Sequence, residues 1–266
     1  MGTTLGAGHW LIPRLLSPQR LRLIHHKLRA QAKATGLQPS EALVGIQPDG
    51  AHMQSDRFDQ ERFFTPERPS SRISSMLYTL LTDPALVAAV KEVSGLDAVR
   101  PLQFEILTKP PGGPCTPWHR DRDFLPIDRQ SYTCWIPLNP IPAHCTLVYA
   151  EGTAQLPPEQ SDIAQHDDLQ QLLDRHGAPM QGLPAMQPGD VDIHEGQVWH
   201  YGPANATPHW RRALGVAFVA DGTRLCTNPP GFSGADGATM RANTLRTLFG
   251  PDAEGQTVQG AQHPRL

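Results

Sequence analysis

From Arg100 onward the chain breaks into short apolar runs separated by Pro and Gly clusters, and this texture limits the fold more than any other feature. The runs are Leu102 to Leu107, Tyr132 to Leu138, Cys145 to Tyr149, Val191 to Ile193 and Ala213 to Val219. Several alternate with period two, and most follow one another with no helix-length segment between. That pattern predicts antiparallel strands joined by loops of variable length and disfavours a βαβ sheet. With 27 Pro and 23 Gly in 266 residues, long uninterrupted helices have few places to form.

Helical signals concentrate upstream. Ser17-Pro18 supplies an N-cap and a first-turn proline, Leu21, Ile24, Leu28 and Ala32 recur at helical spacing, and Gly36 closes the segment. Residues 37 to 70 read as irregular. A second helix is expected over Ser71 to Leu81, and a third from the Asp83 cap and Pro84 to Gly95. The insert Asp162 to His176 has room for a short helix, and Met240 to Leu248 for another. Helices first and strands afterwards predict a mainly β chain, a sandwich or jelly roll with helices against one outer face. No repeat or linker divides it, so a single domain is expected: helical support over 1–100, a β core over about 101–221 and a tail over 222–266.

Composition removes several classes of function. A net charge of -3 does not suit a nucleic-acid binder, and no apolar run reaches membrane-spanning length. Cys115, Cys134, Cys145 and Cys226 form no C-x-x-C pair and read as reduced thiols. The N-terminus lacks the basic and apolar regions of a signal peptide. A cytoplasmic protein acting on a small molecule, without nucleic acid or membrane, is the expectation; the oligomeric state is left open.

Twelve histidines make a metal site worth seeking, and the densest cluster is Trp118-His119-Arg120-Asp121. On an extended strand, residues i and i+2 face one side, so His119 and Asp121 present an imidazole nitrogen and a carboxylate oxygen together. That is two thirds of a 2-His-1-carboxylate site, whose ligands suit Fe(II) and leave coordination positions open. His200 is the best third ligand. His194, six residues earlier, is placed at a strand end, on the surface or just behind the ligands. Asp123 shares the His119 face, but Asp121 gives the tighter bite. H-x-D alone is weak, since a hydrogen-bonded structural pair satisfies it.

What strengthens it is Arg211, eleven residues after His200 at the start of RRALGVAFVA. An iron site using 2-oxoglutarate needs a fixed cation for the distal carboxylate, and the planar fork of Arg suits one. Arg211, Ala213, Gly215 and Ala217 share one face, where small side chains leave room for a diacid. Arg212, Leu214, Val216 and Phe218 share the other and read as packing; a bulge would exchange Arg211 and Arg212.

KPPGGPCTPWHRDRD, SYTCWIPL, QPGDVDIHEGQVWHYGPAN and RRALGVAFVAD, in that order, resemble the core motifs of the phytanoyl-CoA dioxygenase family of Fe(II)/2-oxoglutarate oxygenases. The resemblance covers roughly Leu102 to Ala220. It implies a double-stranded β-helix, the jelly-roll, cupin-like barrel, with Fe(II), 2-oxoglutarate and O2 as cofactor and cosubstrates. It implies His119, Asp121 and His200 as iron ligands and Arg211 as the cosubstrate clamp. It also places Trp135 and Gln103 beside the cosubstrate and Asn205 in a supporting turn. The chain departs from the family at Ala143 to Leu147 and Ala150 to Ala154, so the family's best known substrate does not carry over. Related halogenases lack the carboxylate ligand; with Asp121 present, oxygenation is the expectation, on a small organic molecule and as a step of specialised metabolism. The alternatives are a catalytically silent jelly-roll binding protein and a cupin-like metalloenzyme that does not use 2-oxoglutarate. Trp118, Phe124, Trp199 and Trp210 flank the site as candidate walls, and Arg122 and Arg129 as candidate attractors of an acidic substrate.

Overall fold

The structure is a computed structural model that describes residues 3–6, 8–34, 78–156, 171, 173–174, 177–230, 235–260 and 263–266. Two of the expected helices form where their caps predict. Helix α1 spans Pro18–Ala34. The Ser17 hydroxyl accepts from the Arg20 N–H at 3.4 Å, and Leu21, Ile24 and Leu28 are buried. Helix α2 spans Pro84–Ser94; the Asp83 carboxylate accepts from the Ala85 and Leu86 N–H groups. Gly95 closes it at φ 68°, a conformation costly for any residue with a Cβ. Helix α3, Ala235–Leu248, begins five residues before the expected Met240. Gly36, residues 37–70 and most of the segments 71–81 and 162–176 lie outside the described residues.

Among the described residues there are ten strands, in chain order: β1 Thr3–Gly6, β2 His9–Ile12, β3 Val99–Lys109, β4 Thr116–His119, β5 Ser131–Pro137, β6 Val148–Ala150, β7 Met180–Gly182, β8 Val191–Glu195, β9 His200–Gly202 and β10 Arg211–Ala220. They form two antiparallel sheets, six-stranded in the order β1-β2-β8-β5-β10-β3 and four-stranded in the order β4-β9-β6-β7. The run expected as a strand from Cys145 to Tyr149 starts later, because Ala143–Cys145 is a 3-10 turn. The N-terminal hairpin β1–β2 is unforeseen by the sequence reading. At the edge of the larger sheet β3 carries Pro101, where a bulge between the Ala217 and Phe218 pairings absorbs its missing N–H.

The larger sheet is apolar on the face turned away from its partner. Cys134 and Ile136 of β5, Val191 and Ile193 of β8, and Leu214, Val216 and Phe218 of β10 bury against α1 and α2 in one cluster. A second cluster joins the two sheets, with Leu11, Trp135 and Ala213 from the larger and Tyr149 from the smaller. The inward face of the larger sheet is unusually polar: Thr133, Asp192 and His194 alternate with the apolar residues just named. Buried polar groups need partners to offset their desolvation, so this inward face marks where chemistry is concentrated. No helix among the described residues is long and apolar enough to cross a membrane.

Candidate metal centre

Two cross-strand rows, one from each sheet, meet in the interior. On the smaller sheet His119 of β4 pairs directly with His200 of β9, and His200 with Tyr149 of β6. On the larger sheet Thr133 of β5 pairs with His194 of β8, and His194 with His9 of β2. Directly opposed residues bring their side chains together, and the His119 and His200 rings stand 4.3 Å apart.

Asp121 lies between the rows, and not on a strand as the sequence reading has it. Strand β4 stops at His119, and Asp121–Asp123 is a 3-10 turn. Arg120 is still extended (φ -118°, ψ 137°), so the alternation survives one residue beyond the ladder and returns Asp121 to the side of His119. Asp123 is drawn away by Arg120, whose Nη2 and Nε donate to its carboxylate at 2.8 and 3.0 Å.

His119, Asp121 and His200 form a three-donor cluster whose ligand atoms all lie within 4.8 Å of one another. The Asp121 Oδ1 is 3.8 Å from His119 Nε2 and 3.7 Å from His200 Nε2. Ligand bonds of roughly 2 Å would bring these donors somewhat closer. The backbone fixes both tautomers: His119 Nδ1 donates to the Pro117 carbonyl at 2.8 Å and His200 Nδ1 to the Val198 carbonyl at 3.1 Å. Each Nε2 is left with a lone pair aimed at the cluster, as a metal requires. Burial, with His119 and His194 alongside, lowers His200 to about 3 and keeps it neutral. Burial would raise Asp121, but the hydrogen bond from His194 and the His194 charge hold its carboxyl well below the usual range.

His194 is buried just behind the ligands, the second of the two places the sequence left open. Its Nε2 meets Asp121 Oδ2 at 3.2 Å, and its Nδ1 meets Tyr149 Oη at 2.9 Å and Asp192 Oδ2 at 3.3 Å. Burial would lower it, yet hydrogen bonds to Asp121 and Asp192 lift it to about 9. With both nitrogens engaged it has no lone pair for a metal, which separates it from His119 and His200.

Beside the cluster opens a cavity of about 130 Å³. Arg211 and Gly215 line it, while Leu214 and Val216 pack under the helices, so β10 divides its faces as the sequence reading expects. The Arg211 Nη1 donates to the Cys145 carbonyl at 2.7 Å and the Pro203 carbonyl at 3.2 Å. Burial lowers Arg211 to about 10, which leaves it charged at neutral pH. Arg212 points away, over the Trp210 ring at 5.0 Å and 3.4 Å from His25 Nε2, so His25 is not the free surface residue its exposed neighbour His26 is. Trp135 and Gln103 both line the cavity. Each holds a buried polar atom, Nε1 and Oε1, with no hydrogen-bond partner among the described residues. Such orphans are expected where a polar ligand belongs. Phe124 forms a wall, edge-on to His119, whereas Trp118, Trp199 and Trp210 pack elsewhere. Asn205 Nδ2 binds the Lys109, Pro110 and His209 carbonyls and so braces the turn after β9.

Lys109 is missed by the sequence reading. It is the cross-strand partner of Arg211, lines the same cavity and donates to the Gly202 and Pro203 carbonyls at 2.7 and 3.0 Å. Burial and the Arg211 charge lower it to about 7. Its signal was available in principle: a Lys closing a strand in register with Arg211 must face the same interior.

Two imidazoles and a carboxylate inside a jelly roll, with a buried guanidinium on the adjoining wall, describe the non-haem Fe(II)/2-oxoglutarate oxygenases. The phytanoyl-CoA dioxygenase (PhyH) family model matches residues 6–213, and the chain belongs to that family. Its fold is shared with the non-haem α-ketoglutarate dependent epimerase SnoN of nogalamycin biosynthesis (TM-score 0.66, 16% identity, covering 97% of this chain and 91% of SnoN). The carbocyclase SnoK of the same biosynthesis aligns with TM-score 0.64 and 20% identity, covering 98% of this chain and 92% of SnoK. EctD from S. alaskensis, crystallised with 2-oxoglutarate and 5-hydroxyectoine, aligns with TM-score 0.58 and 19% identity over 82% of this chain and 74% of EctD. No curated protein matches the sequence significantly.

Proposed function

We propose that this family member hydroxylates an unactivated C–H bond of a small organic molecule, with iron held by His119 Nε2, Asp121 Oδ1 and His200 Nε2. The observation that carries the assignment is that both histidines spend Nδ1 on a backbone carbonyl while Nε2 converges on one Asp121 oxygen. Three protein donors leave positions for a chelating cosubstrate and O2. Bound iron would supply O2 activation coupled to oxidative decarboxylation of 2-oxoglutarate to succinate and CO2.

The chain's own residues do the rest. Arg211 holds the distal carboxylate, with Lys109 braced beside it. Trp135 Nε1 and Gln103 Oε1 offer the polar contacts that the cavity wall leaves unmet. Phe124, Leu107 and Leu147 line the cavity with apolar surface that limits water near the reacting carbon. A setting in specialised metabolism agrees with the nogalamycin-biosynthesis neighbours. Those neighbours include an epimerase and a carbocyclase, so the reaction must be read from the product.

The deciding experiment is substrate-dependent succinate formation by the Fe(II)-loaded protein under 18O2. Hydroxylation places one labelled oxygen in the product; an epimerised or cyclised product carries none. Absence of 2-oxoglutarate binding would instead select a cupin-like metalloenzyme.

A further inference from the structure

Resting on the reading of Asp121 as a metal ligand, we infer that His194 and Thr133 are positioning residues that hold Asp121 to a single donor oxygen. The two carboxylate oxygens of Asp121 have separate surroundings. Oδ1 faces the Nε2 atoms of His119 and His200 at 3.8 and 3.7 Å. Oδ2 faces the opposite sheet, where it accepts from His194 Nε2 at 3.2 Å and from the Thr133 hydroxyl in a short hydrogen bond. Turning Oδ2 toward the ion would break both bonds at once. A carboxylate that bound through both oxygens would take a coordination position needed by 2-oxoglutarate or O2.

His194 is itself held from behind. Asp192 is fully buried, accepts from the Tyr149 hydroxyl and lies 3.3 Å from His194 Nδ1 through the same Oδ2. His9 stacks on Tyr149 with ring centroids 4.1 Å apart, and its Nδ1 stands 3.6 Å from Asp192 Oδ1, too far for a direct hydrogen bond. These five residues come from four strands: His9 from β2, Thr133 from β5, Tyr149 from β6, and Asp192 and His194 from β8. Both sheets therefore take part in fixing one carboxylate oxygen. The arrangement also gives the N-terminal hairpin a task, since β2 supplies the ring that stacks on Tyr149.

The test compares Thr133→Val, His194→Gln, the double variant, Thr133→Ser and Asp121→Ala. Each is loaded anaerobically with Co(II) and then titrated with 2-oxoglutarate, following the visible Co(II) absorption. The double variant should still take up Co(II), at a cost of no more than about ten- to a hundredfold in affinity, show an altered Co(II) spectrum before 2-oxoglutarate is added, and bind 2-oxoglutarate more weakly than wild type once Co(II) is saturating. Thr133→Ser keeps the hydroxyl and should match wild type. Thr133→Val is nearly isosteric, so it carries the test if His194→Gln does not fold; its shift should be in the same direction and smaller. Wild-type spectra and 2-oxoglutarate affinity in both Thr133→Val and His194→Gln would overturn the inference while leaving the ligand set intact. Loss of Co(II) together with a lowered melting temperature would also overturn it, because a disordered pocket and not a turned carboxylate would be responsible. Undiminished Co(II) binding by Asp121→Ala would overturn the ligand assignment and the inference with it.

Discussion

Replacing Arg211 with Ala tests the cosubstrate site most directly. The side chain is 6% exposed, so its charge would meet a carboxylate largely without water between them. Truncating one partner of such a buried, hydrogen-bonded pair costs about 2–5 kcal/mol. Lys109, on the neighbouring strand, is lowered by burial and by the Arg211 charge, so removing that charge raises it and leaves positive potential in the cavity near neutral pH, which favours the lower half of that range. At about 1.4 kcal/mol per tenfold, the 2-oxoglutarate requirement should rise roughly 30- to 300-fold. The iron requirement should change little, because the guanidinium is not part of the three-donor cluster. Arg211→Ala also removes hydrogen bonds to the Cys145 and Pro203 carbonyls, so some loss of thermal stability is expected and should be measured alongside. Succinate formation against 2-oxoglutarate concentration, with anaerobic binding titrations of the Fe(II) protein, separates the two requirements. Arg212→Ala is the matched control, since that side chain lies over Trp210 on the other face. A 2-oxoglutarate requirement within threefold of wild type in Arg211→Ala, or an equal loss of iron affinity, would refute the assignment.

His119→Ala and Asp121→Ala should each abolish succinate formation in the presence of iron, and turnover at the wild-type rate in either would remove that residue from the ligand set. Phe218→Ala empties a fully buried site between β10 and the helices; it should cost about 3–5 kcal/mol in denaturant unfolding, and a loss below 1 kcal/mol would show that the helices do not rely on that contact. His25 is lowered to about 4 by burial and then by Arg212, Arg29 and His26. The unfolded chain therefore takes up the proton first, near pH 6.5, so this group contributes no penalty above that pH and an increasing one as pH falls toward 4. With solvent screening the effect is about 1–2 kcal/mol; His25→Gln should flatten that part of the stability profile, and an unchanged profile would show that His25 is not its source.

The elements legible in the sequence are those set by local chemistry. Asp83, Pro84 and Gly95 mark the ends of α2 because a cap is made by residues next to the helix. The alternation of β10 also predicts which of its faces reaches the cavity. What was not legible depends on partners far along the chain. β1 and β2 are short; β2 pairs with β8, a contact across some 180 residues, and β1 pairs in turn with β2. The two places left open for His194, at the surface or just behind the ligands, are decided by a clear physical cause in favour of the second. Alternating strands ordinarily turn apolar residues inward and polar ones to water. In Val191-Asp192-Ile193-His194 that rule sends His194 outward, but here the apolar residues go to the helices and the polar ones to the interior. Lys109 escaped for a related reason, since its direction follows from its register with Arg211.

Because the apolar residues of β5, β8 and β10 are anchored against the helices, the chemistry sits on the reverse side of the same strands. Neighbouring positions answer to different demands: Val216 to cohesion, Gly215 to what the cavity admits. A lineage could exchange Gly215 or Ala217 for bulkier side chains and recontour the chamber while the hydrophobic scaffold stayed intact. Diversification of substrate would then require few compensating changes beneath the helices.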